Sequence, residues 1–171
     1  MQTDGLPYPV KGLPAVVSTM TERLTRVEVG PVNLELLEVL IHCNLTHLDN
    51  TLETAGSEAI WRTAFQRWTH LTELRVYAST TDAAQLMTFW TRVILSPLES
   101  LTHFTIYGLL TSHPATTLFV GLLPKFPNLV WCQLPKPDRL TPELEFNIIQ
   151  EVDERPNLTY LGWLEYAVSP L

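Results

Sequence analysis

Basic residues are scarce in this chain. Eleven lysines and arginines stand against eighteen acids, a net charge of −7, and the bases are scattered rather than gathered into a run. A phosphate backbone is repelled by such a surface unless a basic stripe reverses the field, so nucleic acid is excluded as the expected partner. An anionic membrane surface is disfavoured on the same ground. Cysteine is nearly absent: Cys43 and Cys132 are too few for a disulfide framework and suit buried thiols in a reducing compartment. Apolar residues make up 46% of the chain, yet no run reaches the roughly 18 that a membrane span needs. Met1 to Tyr8 lacks the basic start and apolar middle of a secretory signal, so an intracellular protein is expected. Also missing are a glycine-rich phosphate loop and the patterns His-Glu-x-x-His, Cys-x-x-Cys and Gly-x-Ser-x-Gly. These gaps point away from an enzyme: no catalytic residue, no cofactor and no metal are expected.

What the sequence does contain is a repeat. Six segments open with leucine, at Leu24, Leu45, Leu71, Leu101, Leu129 and Leu158, with starts 21 to 30 residues apart. Five of the six continue with threonine, and Val130 is the exception. Apolar residues recur at the first and fourth places, and at the sixth in all but one segment, where Asn50 stands. Alternation of this kind is the period of a strand. Between the segments the period becomes helical. Ile60, Trp61, Ala64, Phe65 and Trp68 share one helix face, as do Ala83, Leu86, Met87, Trp90, Val93 and Ile94. Shorter faces run through Leu34, Leu37 and Ile41, through Leu118 and Leu122, and through Leu144, Ile148 and Val152. Thr141 followed by Pro142 and Glu143 reads as a helix start, with Ser57 and Asp82 as further caps. Pro97 and Pro156 mark helix exits, and Pro-Asn-Leu opens the segments at Leu129 and Leu158.

One strand and one helix per unit cannot bury their apolar faces alone. Stacked units can, with parallel strands in one sheet and leucines between sheet and helices. The expected fold is therefore α/β, a solenoid with the sheet on the concave side and helices on the convex side. Trp61, Trp68 and Trp90 belong to its core. Residues 1–23 form a proline-containing N-terminal segment and 24–171 a domain of about six irregular repeats. An uncovered strand at either end of such a stack invites either more chain or a pairing partner.

The leucine-led segments and the Pro-Asn-Leu entries, over roughly Leu24 to Leu164, resemble leucine-rich repeats of the ribonuclease-inhibitor-like class. More narrowly, they resemble the repeats that follow the F-box in fungal F-box proteins. That resemblance implies a substrate-recognition role in a ubiquitin ligase. Adaptor binding would need an F-box, a separate helical module that the short stretch Met1 to Arg23, with Pro7, Pro9 and Pro14, does not match.

If the first, fourth and sixth places face inward, the third, fifth and seventh face outward. The third-place column is Arg26, His47, Glu73, His103, Trp131 and Tyr160. The fifth is Glu28, Asp49, Arg75, Thr105, Gln133 and Gly162, and the seventh is Gly30, Thr51, Tyr77, Tyr107, Pro135 and Leu164. Aromatic residues with an arginine nearby are what protein interfaces favour at their centres. A protein partner is therefore expected on this face, at Trp131, Tyr160, Tyr77, Tyr107, His103, Glu73 and Arg75. Trp131, Tyr160, Pro135 and Leu164 would form an apolar patch within it. The competing reading is that the aromatics only stabilise the sheet through cross-strand pairs. Two further readings are a repeat scaffold with no ubiquitin connection and a small metal-dependent enzyme using His47, Glu73 and His103. Cys132, at a fourth place, is expected to be a buried, inert thiol.

Overall fold

The computed structural model describes residues 12–52, 58–78, 83–107, 117–118, 120–135 and 140–164. Every leucine-led segment becomes a strand: β1 (Arg26–Pro31), β2 (His47–Leu52), β3 (Glu73–Ala78), β4 (His103–Tyr107), β5 (Trp131–Pro135) and β6 (Tyr160–Leu164). All five pairings are parallel, and the strands lie in sequence order in one sheet. Parallel neighbours require a crossover. Here the crossovers carry α2 (Leu34–Leu40), α3 (Glu58–Arg67), α4 (Ala83–Val93) and α5 (Pro142–Asp153), with a 3-10 turn at Leu123–Lys125 before β5. The fold is α/β with a single six-stranded parallel sheet.

The alternation along the strands decides which face is covered. First-place Leu45, Leu71, Leu101 and Leu129, fourth-place Val27, Leu48, Leu74, Phe104 and Cys132, and sixth-place Val76, Ile106 and Leu134 are all buried. Leu24, Leu158 and Leu161 are only partly buried, since end strands have a neighbour on one side. Against this face pack the helices. Trp61, Phe65, Trp68, Trp90, Phe104 and Phe126 form a continuous aromatic chain, with ring centroids 5.3 to 6.3 Å apart. The Trp68 indole N–H donates to the Leu40 carbonyl at 3.0 Å, tying α3 to the end of α2.

The repeated threonine has a cause the pattern alone did not reveal. Each second-place hydroxyl donates to the carbonyl of the second-place residue one strand earlier: Thr46 to Thr25 at 3.1 Å, Thr72 to Thr46 at 3.0 Å, Thr102 to Thr72 at 3.1 Å and Thr159 to Val130 at 3.1 Å. The same carbonyls accept two backbone N–H groups from the next segment, and at β4–β5, where Val130 has no hydroxyl, the Thr102 carbonyl accepts the two backbone N–H groups alone. The Asn128 amide of one Pro-Asn-Leu entry likewise donates across to the Glu99 carbonyl at 2.8 Å.

Some expectations are corrected. Leu34 is exposed, and the buried face of α2 runs through Leu36, Leu37 and Leu40 instead. The helix begins at Leu34 with Asn33 as its cap, so the first-turn leucine points away before the face is established. The segment before Leu24 is not merely a proline-containing lead: Leu13–Ser18 forms a short helix, α1, which packs on α2 and places Val17 in the core. Leu122 is buried, but in the turn that precedes the 3-10 helix rather than in a helix. Thr141 caps α5 as expected, its hydroxyl accepting from the Leu144 N–H at 3.2 Å. The caps proposed at Ser57 and Asp82 lie outside the described residues. Asn50 is fully buried between Val29 and Val76, and among the described residues neither its amide nitrogen nor its oxygen has a hydrogen-bond partner. Such a group costs stability wherever it occurs.

Candidate functional site: the open face of the sheet

The open face carries the third, fifth and seventh places, and the parallel register turns them into straight columns. In the third-place column Arg26 faces His47, His47 faces Glu73, Glu73 faces His103, His103 faces Trp131 and Trp131 faces Tyr160. The fifth-place column runs from Glu28 through Asp49, Arg75, Thr105 and Gln133 to Gly162 in the same way. The seventh-place column is less regular. A register shift between Val29 and Pro31 puts Pro31, not Gly30, opposite Thr51. Thr51, Tyr77 and Tyr107 then follow in register, and the backbones of Pro135 and Leu164 pair with one another. The side chains of Pro135 and Leu164 lie outside the described part of the structure.

Two aromatic pairs lie on this face. Trp131 and Tyr160 stack with ring centroids 3.7 Å apart and planes 12° from parallel. Tyr77 and Tyr107 stack at 4.5 Å and 13°. Both pairs are cross-strand neighbours, so part of each ring is spent on the other, as the competing sheet-stabilising reading requires. Part remains: Trp131 keeps 37% of its surface exposed and Tyr77 42%. Gly162 makes the first pair possible. Tyr160 leans along its own strand over Gly162, and a Cβ there would stand 2.1 Å from the phenol oxygen. A glycine inside a strand often marks such a close approach, which was the available signal.

The N-terminal half of the face is ionic. Arg26 donates to Glu28 on its own strand at 2.7 Å. Arg75 is ion-paired with Glu73, also on its own strand, and the His47 Nε2 lies 3.3 Å from the other Glu73 oxygen. Thr46 and His47 share a hydrogen bond at 2.7 Å through the ring Nδ1, and Thr102 and His103 share one at 2.9 Å. His103 thus pairs with its own strand, and among the described residues no group of three His, Cys, Asp or Glu side chains is placed to hold a metal ion. Of the row His47, Glu73 and His103, only His47 is turned to the Glu73 carboxylate, which Arg75 also engages, while His103 bonds Thr102.

Charge and burial set the titration of this half. The Arg26 hydrogen bond and charge hold the Glu28 carboxyl below its ordinary value. Burial pushes the Asp49 carboxyl up, and Glu28 and Glu73 add to this against the opposing pull of Arg75 and Arg26. Burial disfavours the Arg75 cation, but Glu73, Tyr107 and Asp49 more than offset it and raise its value. Burial also raises Tyr77, helped by Asp49 and Tyr107. Thr105 was expected to face solvent and is instead buried. Its short side chain lies in register between Arg75 and Gln133, with His103 and Tyr107 on either side along its strand, and these longer groups overshadow it. On the covered face, burial drives the Cys132 thiol far up and raises Cys43 as well, so neither is poised as a thiolate.

Among the described residues no helix is long and apolar enough to cross a membrane. No protein-family model matches the chain, and the search of curated proteins finds no match.

Proposed function

We propose that the chain is a leucine-rich-repeat solenoid, its sheet concave and its helices convex, that binds a protein partner on the open sheet face around Trp131 and Tyr160. The repeat reading is supported by the sequential parallel strands and by the threonine ladder, which gives successive units the same hydrogen bonds. The single observation that carries the binding reading is Trp131. It is a large ring without a polar hydroxyl, left more than a third exposed on the open face, and it is held flat by Tyr160. Rigid aromatic rings supply contact area at small entropic cost, which is why interfaces centre on them. The resemblance to the repeats of fungal F-box proteins extends the reading to the substrate-recognition part of a ubiquitin-ligase subunit. A repeat scaffold with no ubiquitin role is the alternative.

The test uses randomised heptapeptides displayed on phage and selected on the whole chain. Trp131→Ala is expected to weaken the selected peptides by about 2 kcal/mol or more. Its far-UV circular dichroism should stay unchanged, because the ring fills no core cavity. Peptides that bind the variant as well as the parent would place docking elsewhere.

A further inference from the structure

We propose that Asp49 is the acceptor for a lysine or arginine side chain of the bound partner, so that the open face takes a segment with a basic residue at one end and an apolar residue at the other. This rests on the proposed role of the face. It is carried by a separate observation, an uneven count of charges on β1, β2 and β3. Three carboxylates, Glu28, Asp49 and Glu73, stand there with two guanidinium groups, Arg26 and Arg75. Each arginine is committed to the glutamate two residues away on its own strand, Arg26 to Glu28 and Arg75 to Glu73. His47 is also turned to Glu73. Asp49 lies in register between Glu28 and Arg75, yet it makes no hydrogen bond or ion pair with any described residue. It sits in a small depression lined by Arg26, Glu28, His47, Glu73 and Arg75.

Arg75 and Arg26 reach the partly buried Asp49 carboxylate only through space, without a hydrogen bond or ion pair, so its charge stays incompletely compensated and a cation brought by a ligand relieves it. The net charge of −7 draws basic segments toward the molecule in the first place. Geometry fixes the spacing. Asp49 is on β2 and Trp131 on β5, three strand steps across and two residues along the strand, which at about 4.8 Å per step and about 3.4 Å per residue is about 16 Å. An extended chain covers about 3.4 Å per residue, so a segment crossing the strands carries its basic residue about five positions from the apolar residue seated on Trp131.

The same displayed heptapeptides provide the test, run on the parent chain, Asp49→Asn, Asp49→Glu and Trp131→Ala, each first checked for the parent far-UV spectrum. On the parent, lysine or arginine should be enriched about five positions from an apolar residue. Asp49→Asn should remove the basic preference, keep the apolar one, and weaken the parent-selected peptides at least tenfold; Asp49→Glu should restore most of that affinity. Trp131→Ala should do the reverse, losing the apolar preference and keeping the basic one. No basic enrichment on the parent, an acidic preference instead, or affinities within twofold on Asp49→Asn would overturn the assignment of Asp49. The proposed binding face would survive any of these results if Trp131→Ala still lost affinity. Both readings would fall if no peptide were selected, or if binding depended on neither residue.

Discussion

Gly162 occupies a position where a single added carbon would strike the Tyr160 ring. Gly162→Ala should therefore swing Tyr160 off Trp131 and break the 3.7 Å stack. The expected readout is a loss of near-UV circular dichroism from the pair, with a stability change of only about 1 kcal/mol, because the rings lie outside the core. An unaltered near-UV spectrum would mean that the tyrosine has room elsewhere. Asp49 gives a prediction with a sign. Its folded value is raised above its unfolded one, mainly by burial, so the folded state favours the neutral acid. The stabilisation linked to that proton is fully present below the unfolded value and is lost as pH rises through the folded one. At pH 7 the charged carboxylate is a burden that Asp49→Asn removes. The variant should therefore melt above the parent at pH 7, and the gap should close as pH falls below about 3.9. A variant that melts lower at pH 7 would contradict the burial cost. The columns that hold these residues were legible from alternation alone. The lack of a partner at Asp49 was not, because Arg75 has carboxylates both beside it and across from it, and side-chain rotation decides between Glu73 and Asp49.

At the scale of the element, two substitutions separate what packing holds from what capping holds. Trp68 is buried in the aromatic chain, and its indole bonds the Leu40 carbonyl. Trp68→Ala should cost about 3–5 kcal/mol, read as a lower midpoint in chemical denaturation. Thr141→Ala removes the hydroxyl that accepts from Leu144 and should cost only about 1 kcal/mol. A midpoint unmoved by the first change, or a much larger loss from the second, would reverse this ranking. The helix starting at Pro142 could be read from the sequence because its cap chemistry is local. Leu34 misled because seven residues make too short a helix for the i, i+4 spacing to outweigh alternatives, and Leu36 and Leu40 fit the same period. The threonines could be counted but not explained from sequence, since each hydroxyl acts on a carbonyl more than twenty residues away.

At the scale of the whole molecule, burial among the described residues is densest in the middle of the sheet and thins toward β6. The aromatic chain runs from Trp61 to Phe126, whereas α5 buries Leu144 and leaves Phe146 65% and Ile149 53% exposed. Local opening follows the amount of buried apolar contact. Amide hydrogen exchange should therefore be slowest in β3 and β4 and faster in α5, by routes that do not require global unfolding. Equal protection would mean that something covers α5 in solution. The stacking order was legible in the sequence because each leucine-led segment repeats the last. The thin end was not, because α5 carries five apolar residues, as α3 does, and only the packing shows which of them find a partner.

The alternating strands also have a consequence for descent. Two alphabets are interleaved along each strand: inward letters answer to the core, outward ones to whatever the face meets. If the open face binds as proposed, a mutation at a third or fifth place edits recognition while leaving the scaffold's spelling intact, and a lineage can exchange one partner for another by rewriting a column. Length changes between segments, whose starts already differ by 21 to 30 residues, do not disturb either alphabet. Gly162 is an outward letter with little freedom to vary, since the Tyr160 ring already occupies its margin.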